Sequence, residues 1–182
     1  MRLDLSFEEP RLSGDLPMTP ASLKRFVRSL AVELKRLPEW RETCEILGET
    51  PSCVALHFCG DAEMRRIHRE FRRLDKTTDV LSFPSREQPE PELAALAGEL
   101  SLGDLVIAYP TVLRAARRVK RKPEAELAEV LAHGLLHLLG LDHVGVSKAR
   151  ADRMKELQRR LSRQALLSIK APHGRTARRA AP

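Results

Sequence analysis

His133-Gly134-Leu135-Leu136-His137-Leu138-Leu139-Gly140-Leu141-Asp142-His143 reads as the end of a leucine-rich helix followed by a tight turn. Three of the chain's six histidines fall in these eleven residues, at the spacing H-x3-H-x5-H. Positions four apart share one face of a 3.6-residue helix, so His133 and His137 can direct their imidazoles at one point. Gly140 suits the left-handed position just past a helix end, which lets the chain fold back and deliver His143 to the same point. Three neutral imidazoles with an open fourth position is a common way to hold a catalytic zinc. The bland alternative is three packed core histidines. It would bury three imidazoles without partners, at considerable cost.

The same spacing opens the metzincin protease motif H-E-x-x-H-x-x-G-x-x-H, in which the glutamate is the general base. Here that position is Gly134, which has no side chain. The spacing therefore predicts a metal site of His133, His137 and His143, without the base of a peptidase.

Two upstream blocks join this one. Phe71-Arg72-Arg73-Leu74-Asp75-Lys76-Thr77-Thr78-Asp79-Val80-Leu81-Ser82-Phe83-Pro84 and Leu102-Gly103-Asp104-Leu105-Val106-Ile107 precede the histidines in that order. Together the three resemble the Y-R-x-x-D-x-x-T-[DN]-V-L-S-F-P, L-G-D-[LI]-x-I and H-G-x-L-H-L-x-G-x-D-H signatures of the YbeY family of metal-dependent endoribonucleases. Phe71 stands where tyrosine is common and Leu141 where an aromatic is common; neither is a proposed ligand. The resemblance implies a single-strand-preferring endoribonuclease of ribosomal RNA maturation, working on rRNA precursors at the small ribosomal subunit. It implies that Arg72 is needed for activity, and it allows a ribosome-associated GTPase or ribosomal protein as a partner. Physically, Arg72 would clamp a phosphate with its planar fork, more tightly as charge builds on the oxygens. Without the family match, little would separate it from Arg73.

The body of the chain agrees with such a role. At 182 residues it suits one domain, expected over 1–168, with a basic tail over 169–182. Net charge is +7, which points to an anionic partner, and four of the positive charges (Lys170, Arg175, Arg178, Arg179) lie near the C-terminus with no acid among them. That tail is too poor in apolar residues to build a core and is expected to be disordered. Aromatics are 4% of residues, so base stacking is not expected to dominate RNA binding. No apolar run approaches a membrane span. The acidic start (Asp4, Glu8, Glu9) is unlike a secretory signal or a mitochondrial presequence. Cys44, Cys53 and Cys59 are odd in number and form no C-x-x-C, which fits free core thiols in a reducing cytoplasm.

Along the chain, Leu3–Phe7 alternates like a short strand. Thr19-Pro20 opens a helix carrying Leu23, Phe26, Val27, Leu30, Leu34 and Leu37, ended by Pro38. Cys53–Phe58 reads as a strand. Gly60-Asp61 caps a helix with Met64, Ile67, His68 and Phe71 on one face. Thr78–Phe83 reads as a strand stopped by Pro84, and Ser85–Ala97 as a mobile loop. Glu99–Tyr109 is a further strand with Gly103 as a bulge or close-approach point. Pro110 opens a short basic helix bearing Arg114, Arg117, Arg118, Lys120, Arg121 and Lys122, which could hold RNA backbone or be a solvated face. Pro123 opens the histidine helix, and Ser147–Leu167 is the last helix. The alternation predicts an α/β (α+β) single domain: a mixed sheet of about four strands covered by helices.

Three imidazoles leave the ion's +2 charge uncompensated, which favours an anionic substrate and activates bound water, as phosphodiester hydrolysis by a metal hydroxide requires. Zinc, one per chain, is the first choice by ligand type. Two alternatives are a metallohydrolase of another substrate, and a ribosome-assembly RNA-binding module with a structural metal. Asp142 is either a partner orienting a ligand histidine or a cap of the turn. Asp75, Thr78 and Asp79 read as turn and strand-start residues, and the place of Ser82 stays open.

Overall fold

The structure is a computed structural model describing residues 19–38, 40, 52–85 and 100–170. Its elements are α1 (Pro20–Leu34), β1 (Ser52–Cys59), α2 (Asp61–Arg72), β2 (Val80–Pro84), β3 (Leu100–Ala108), α3 (Tyr109–Arg118), α4 (Pro123–Leu138) and α5 (Lys148–Lys170). The strands form one mixed sheet in the order β1-β3-β2, with β1 parallel and β2 antiparallel to β3. The α/β reading holds. Three strands are present among the described residues; the expected strand Leu3–Phe7 and the loop after Ser85 lie outside them, and of the tail expected over 169–182 the first two residues belong to the last helix while the rest lies outside.

β3 is central and covered on both faces. Leu105 and Ile107 join the main core with α1, α4 and α5, whereas Val106 and Ala108 join a smaller core with Met64 of α2 and Leu81 of β2. A strand buried on two sides needs no polar face, which is why this segment alternates only weakly in sequence. β1 shows the opposite case: Val54, Leu56 and Phe58 are buried while Cys53, Ala55, His57 and Cys59 between them are half-buried. Cys53 and Cys59 form no disulfide and share one face, as their parity predicts. They are half-buried rather than core thiols. Burial, with Glu63 and Asp61 adding to it, pushes the Cys59 thiol up to about 11, so it stays a protonated bystander.

Several boundaries differ from the sequence reading, each for a local reason. Thr19 caps α1 by accepting the Ser22 N–H at 3.2 Å, and all six expected stripe residues are buried. The helix nevertheless stops at Leu34, four residues before Pro38. Pro38 has no N–H for the Leu34 carbonyl, which instead accepts from Leu37 in a tighter i→i+3 turn. In α2, Met64 and His68 are buried, but Phe71 is 60% exposed and meets Phe83 edge-on at a centroid distance of 5.1 Å. The buried His68 Nδ1 lies 2.8 Å from the Lys76 carbonyl and is satisfied by donating to it. Strand β2 starts at Val80 rather than Thr78 and includes Pro84, which an edge strand tolerates. The basic helix α3 ends at Arg118, with Lys120 left-handed beyond it (φ 52°).

Gly103 is both a bulge and a close approach. The β1–β3 register slips by one residue at this point, Cys53 facing Ser101 and Val54 facing Gly103. Its φ is +130°, and a Cβ there would sit 2.1 Å from the Phe83 carbonyl oxygen. Gly103→Ala is therefore expected to destabilise the fold by about 3 kcal/mol or more, since positive-φ strain and a backbone clash act together. A urea-unfolding midpoint within error of the parent would contradict this account of the bulge.

Candidate metal centre

α4 carries two of the three histidines, and its end is built to return the third. The Gly140 N–H donates to the His137 carbonyl and the Leu141 N–H to the Leu136 carbonyl, both at 3.0 Å, with Gly140 at φ +76°. This is a Schellman ending, and Gly140 stands where it requires a left-handed residue. The helix itself ends at Leu138, two residues before the glycine. Asp142 then accepts the His143 and Val144 N–H groups on Oδ1 at 2.7 and 3.0 Å. That bonding settles its duty as the cap of the turn; its Oδ1 is 3.8 Å from His143 Nδ1, beyond hydrogen-bonding distance.

The result is one cluster. One ligand atom from each of His133, His137 and His143 lies within 4.8 Å of the other two, and the ring centroids are 4.6, 5.1 and 5.4 Å apart. The Nε2 atoms of His133 and His137 face each other at 3.1 Å. Two neutral acceptors this close repel unless a proton or a cation sits between them, and ligand nitrogens on one tetrahedral zinc would stand roughly 3.3 Å apart. Burial first, then His133, lowers the His137 pKa; His143 and Arg72 add to this and Asp142 opposes it. A histidine kept neutral offers the lone pair that metal binding needs. The donor set fits a divalent ion.

Gly134 has a packing reason as well as a chemical consequence. A Cβ there would meet Leu105 Cδ2 at 2.8 Å and Ser82 Oγ at 3.3 Å. The position after the first histidine therefore faces the sheet, and a glutamate there would have to displace the buried Leu105 side chain and Ser82. Ser82 donates its hydroxyl to the Gly134 carbonyl at 3.2 Å, so its role is to hold β2 against α4.

Arg72 is separated from its neighbours by what they bind. Arg65 grips Asp75 with two bonds of 2.8 and 2.6 Å, Arg69 approaches the same carboxylate at 3.7 Å, and Arg66 pairs with Glu70. Arg73 is the left-handed residue that ends α2 (φ 58°). Arg72 instead reaches the β2 edge, its Nη2 donating to the Ser82 carbonyl at 3.4 Å, and its charge is felt by His137. Asp79 accepts the Val80 N–H at 2.9 Å, the strand-start duty expected of it. Of the basic segment, Arg114 is bound to Asp61 and Thr111, and Arg121 lies 3.3 Å from Glu126 and 3.8 Å from Glu129. The Asp61–Arg114 bond lowers the Asp61 pKa.

A cavity of about 320 Å³ opens beside His133 and His143, lined also by Asp79, Glu126, Glu129 and Gln158. Sequence reading missed Gln158 and Glu129. Gln158 Oε1 lies 3.0 Å from His133 Nδ1, and its Nε2 donates to Glu129 Oε2 at 3.0 Å. No spacing within α5 ties Gln158 to the triad: it stands 25 residues beyond His133, among the buried Met154, Leu157 and Leu161.

The family model for Endoribonuclease YbeY matches residues 18–165, and with them every part of this cluster. The chain belongs to the YbeY family. An Endoribonuclease YbeY of Acinetobacter baumannii (strain ATCC 17978) is 37% identical over 143 residues, 79% of this chain and 82% of the relative. That of Anaeromyxobacter sp. (strain Fw109-5) is 42% identical over 148 residues, 81% of this chain and 68% of the relative. The solution structure of TM1509 from Thermotoga maritima has a TM-score of 0.49 and 23% identity, covering 87% of this chain and 95% of that one. Within this YbeY-family chain, no described helix is long and apolar enough to cross a membrane.

Proposed function

We propose that this protein is a single-strand-preferring, metal-dependent endoribonuclease of ribosomal RNA maturation, acting in the cytoplasm with the small ribosomal subunit as its setting. The observation that carries the proposal is three imidazoles converging within 4.8 Å, in a YbeY-family chain, beside an arginine at the β2 edge. His133, His137 and His143 hold one divalent ion, zinc by preference, which when bound supplies Lewis acidity and hydroxide near neutral pH. Arg72 holds a phosphoryl oxygen and stabilises the charge that gathers on it. Asp79, Glu126 and Glu129 outnumber Lys155, the one lysine or arginine among the residues lining the cavity, so its charge disfavours a phosphate there, and Arg72, outside that lining, is the cation proposed to receive it. The catalytic domain spans 1–168, and the basic segment 169–182 adds attraction to RNA without sequence information.

The assay is cleavage of a single-stranded RNA by the purified protein, with and without chelator, beside a His133→Ala control. Cleavage that survives both would remove the metal from the reaction. Product ends test the mechanism further. Among the described residues the cluster holds no histidine outside the triad to run acid–base chemistry on the ribose, so attack by hydroxide is expected to leave linear ends, a phosphate on one fragment and a hydroxyl on the other. A 2′-deoxy residue at the scissile position is then expected to be cleaved at a similar rate. Products ending in 2′,3′-cyclic phosphate would show that the ribose hydroxyl attacks instead.

A further inference from the structure

Among the described residues the strongest polar contact to the triad from another element comes from α5. Glu129 on α4, Gln158 on α5 and His133 on α4 form a continuous line: Glu129 Oε2 to Gln158 Nε2 at 3.0 Å, then Gln158 Oε1 to His133 Nδ1 at 3.0 Å. Glu129 is in turn anchored from its other oxygen by Arg121 at 3.8 Å. The polarity of this line follows from chemistry. An ionised carboxylate only accepts, so the end of the Gln158 amide that faces Glu129 must be its NH2. The end facing His133 is then the carbonyl oxygen, which also only accepts, so His133 must carry its proton on Nδ1. The lone pair is left on Nε2, the atom that faces His137 Nε2 at 3.1 Å.

We infer that Gln158, oriented by Glu129, is the positioning residue of the metal centre: it fixes the tautomer and ring angle of His133 so that Nε2 points at the ion. This rests on the metal reading proposed above. A neutral imidazole in water spends time in both tautomers and rotates freely, and each wrong state is lost to binding; a ligand histidine held by its other ring nitrogen avoids both. The device also joins α5, which bears no ligand itself, to the site on α4. It explains why Glu129 and Gln158, two polar groups on packed helices, face each other beside the cavity instead of turning to solvent.

Two measurements on the full chain test it. Zinc affinity by competition with a chromophoric chelator is expected to fall about 10- to 100-fold in Gln158→Leu, which keeps the bulk and removes the acceptor. The paired exchange Glu129→Gln with Gln158→Glu rebuilds the line with reversed partners: the new amide donates, and the new carboxylate accepts from both it and His133 Nδ1. Affinity is expected to return to within roughly threefold of the parent. Gln158→Leu binding zinc within about twofold of the parent, or the paired exchange binding as weakly as Gln158→Leu, would overturn the inference. The second measurement needs no metal and does not depend on how the variants fold. Side-chain ¹⁵N shifts of His133 in the zinc-free parent are expected to report the Nδ1–H tautomer, and an Nε2–H tautomer there refutes the relay. If the parent binds no zinc at all, the metal reading fails, while the tautomer still decides whether Gln158 orients His133.

Discussion

His137→Ala is expected to leave a folded protein that retains almost no metal and cleaves single-stranded RNA on the order of 10³-fold more slowly than the parent. His137 is one corner of the cluster: its Nε2 opposes that of His133 at 3.1 Å, and its ring lies 5.4 Å from that of His143. Removing it leaves only the imidazoles of His133 and His143, too few to hold the ion tightly. Its side chain is half-buried on a helix whose packing rests on Leu127, Leu131 and Leu136, so an alanine at 137 leaves the fold intact. Linkage gives an internal control. An ion that binds only the folded state stabilises the parent by about 4 kcal/mol at a free concentration a thousand times its Kd, so chelator lowers the parent's melting temperature and leaves that of the variant unchanged. Metal content per chain, measured by elemental analysis, decides the matter. A variant that keeps about one ion per chain would remove His137 from the ligand set.

The second large effect is expected at Arg72. Arg72→Lys preserves the charge that His137 feels and loses the planar fork, so RNA cleavage is expected to fall on the order of 10²-fold while metal content and melting temperature stay at parental values. Arg73→Lys is the matched control. It lies one residue away in the same basic segment, but its backbone is left-handed and ends α2, and its replacement is expected to leave cleavage within about twofold. Equal rates for parent and Arg72→Lys would reduce Arg72 to part of a basic surface.

The candidate ligands were legible because their geometry is local. An i,i+4 pair needs only a helix, and His143 needs only a glycine that ends it in a left-handed turn; the Schellman bonds at Gly140 and Leu141 are the physical form of that inference. The bulge at Gly103 and the cap at Thr19 were legible for the same reason. A helix end read from a proline alone was less secure, because a helix stops where its carbonyls find other donors. α1 ended four residues before Pro38, whereas α4 ended at Leu138 with Gly140 in the C′ place expected of it.

What depended on the approach of distant segments could not be read in advance. The arginines of α2 are alike in sequence, and only the position of Asp75 and of the β2 edge assigns Arg65 and Arg69 to a carboxylate and Arg72 to Ser82. Gly134 was correctly seen to lack a base, but the reason it must be small is the Leu105 side chain pressed against it from β3. The choice between two roles for Asp142 fell to two backbone N–H groups that bind one of its oxygens. Gln158 and Glu129 had no sequence signal, because a hydrogen bond between helices depends on their packing and not on any spacing along one of them. The sequence by itself determined the three imidazoles, the turn that gathers them and the family to which the chain belongs, since each is written in short-range periodicity and motif. Only the tertiary structure decided what each arginine of α2 binds and which polar group meets His133 Nδ1, since those are set by contacts between segments 10 to 25 residues apart.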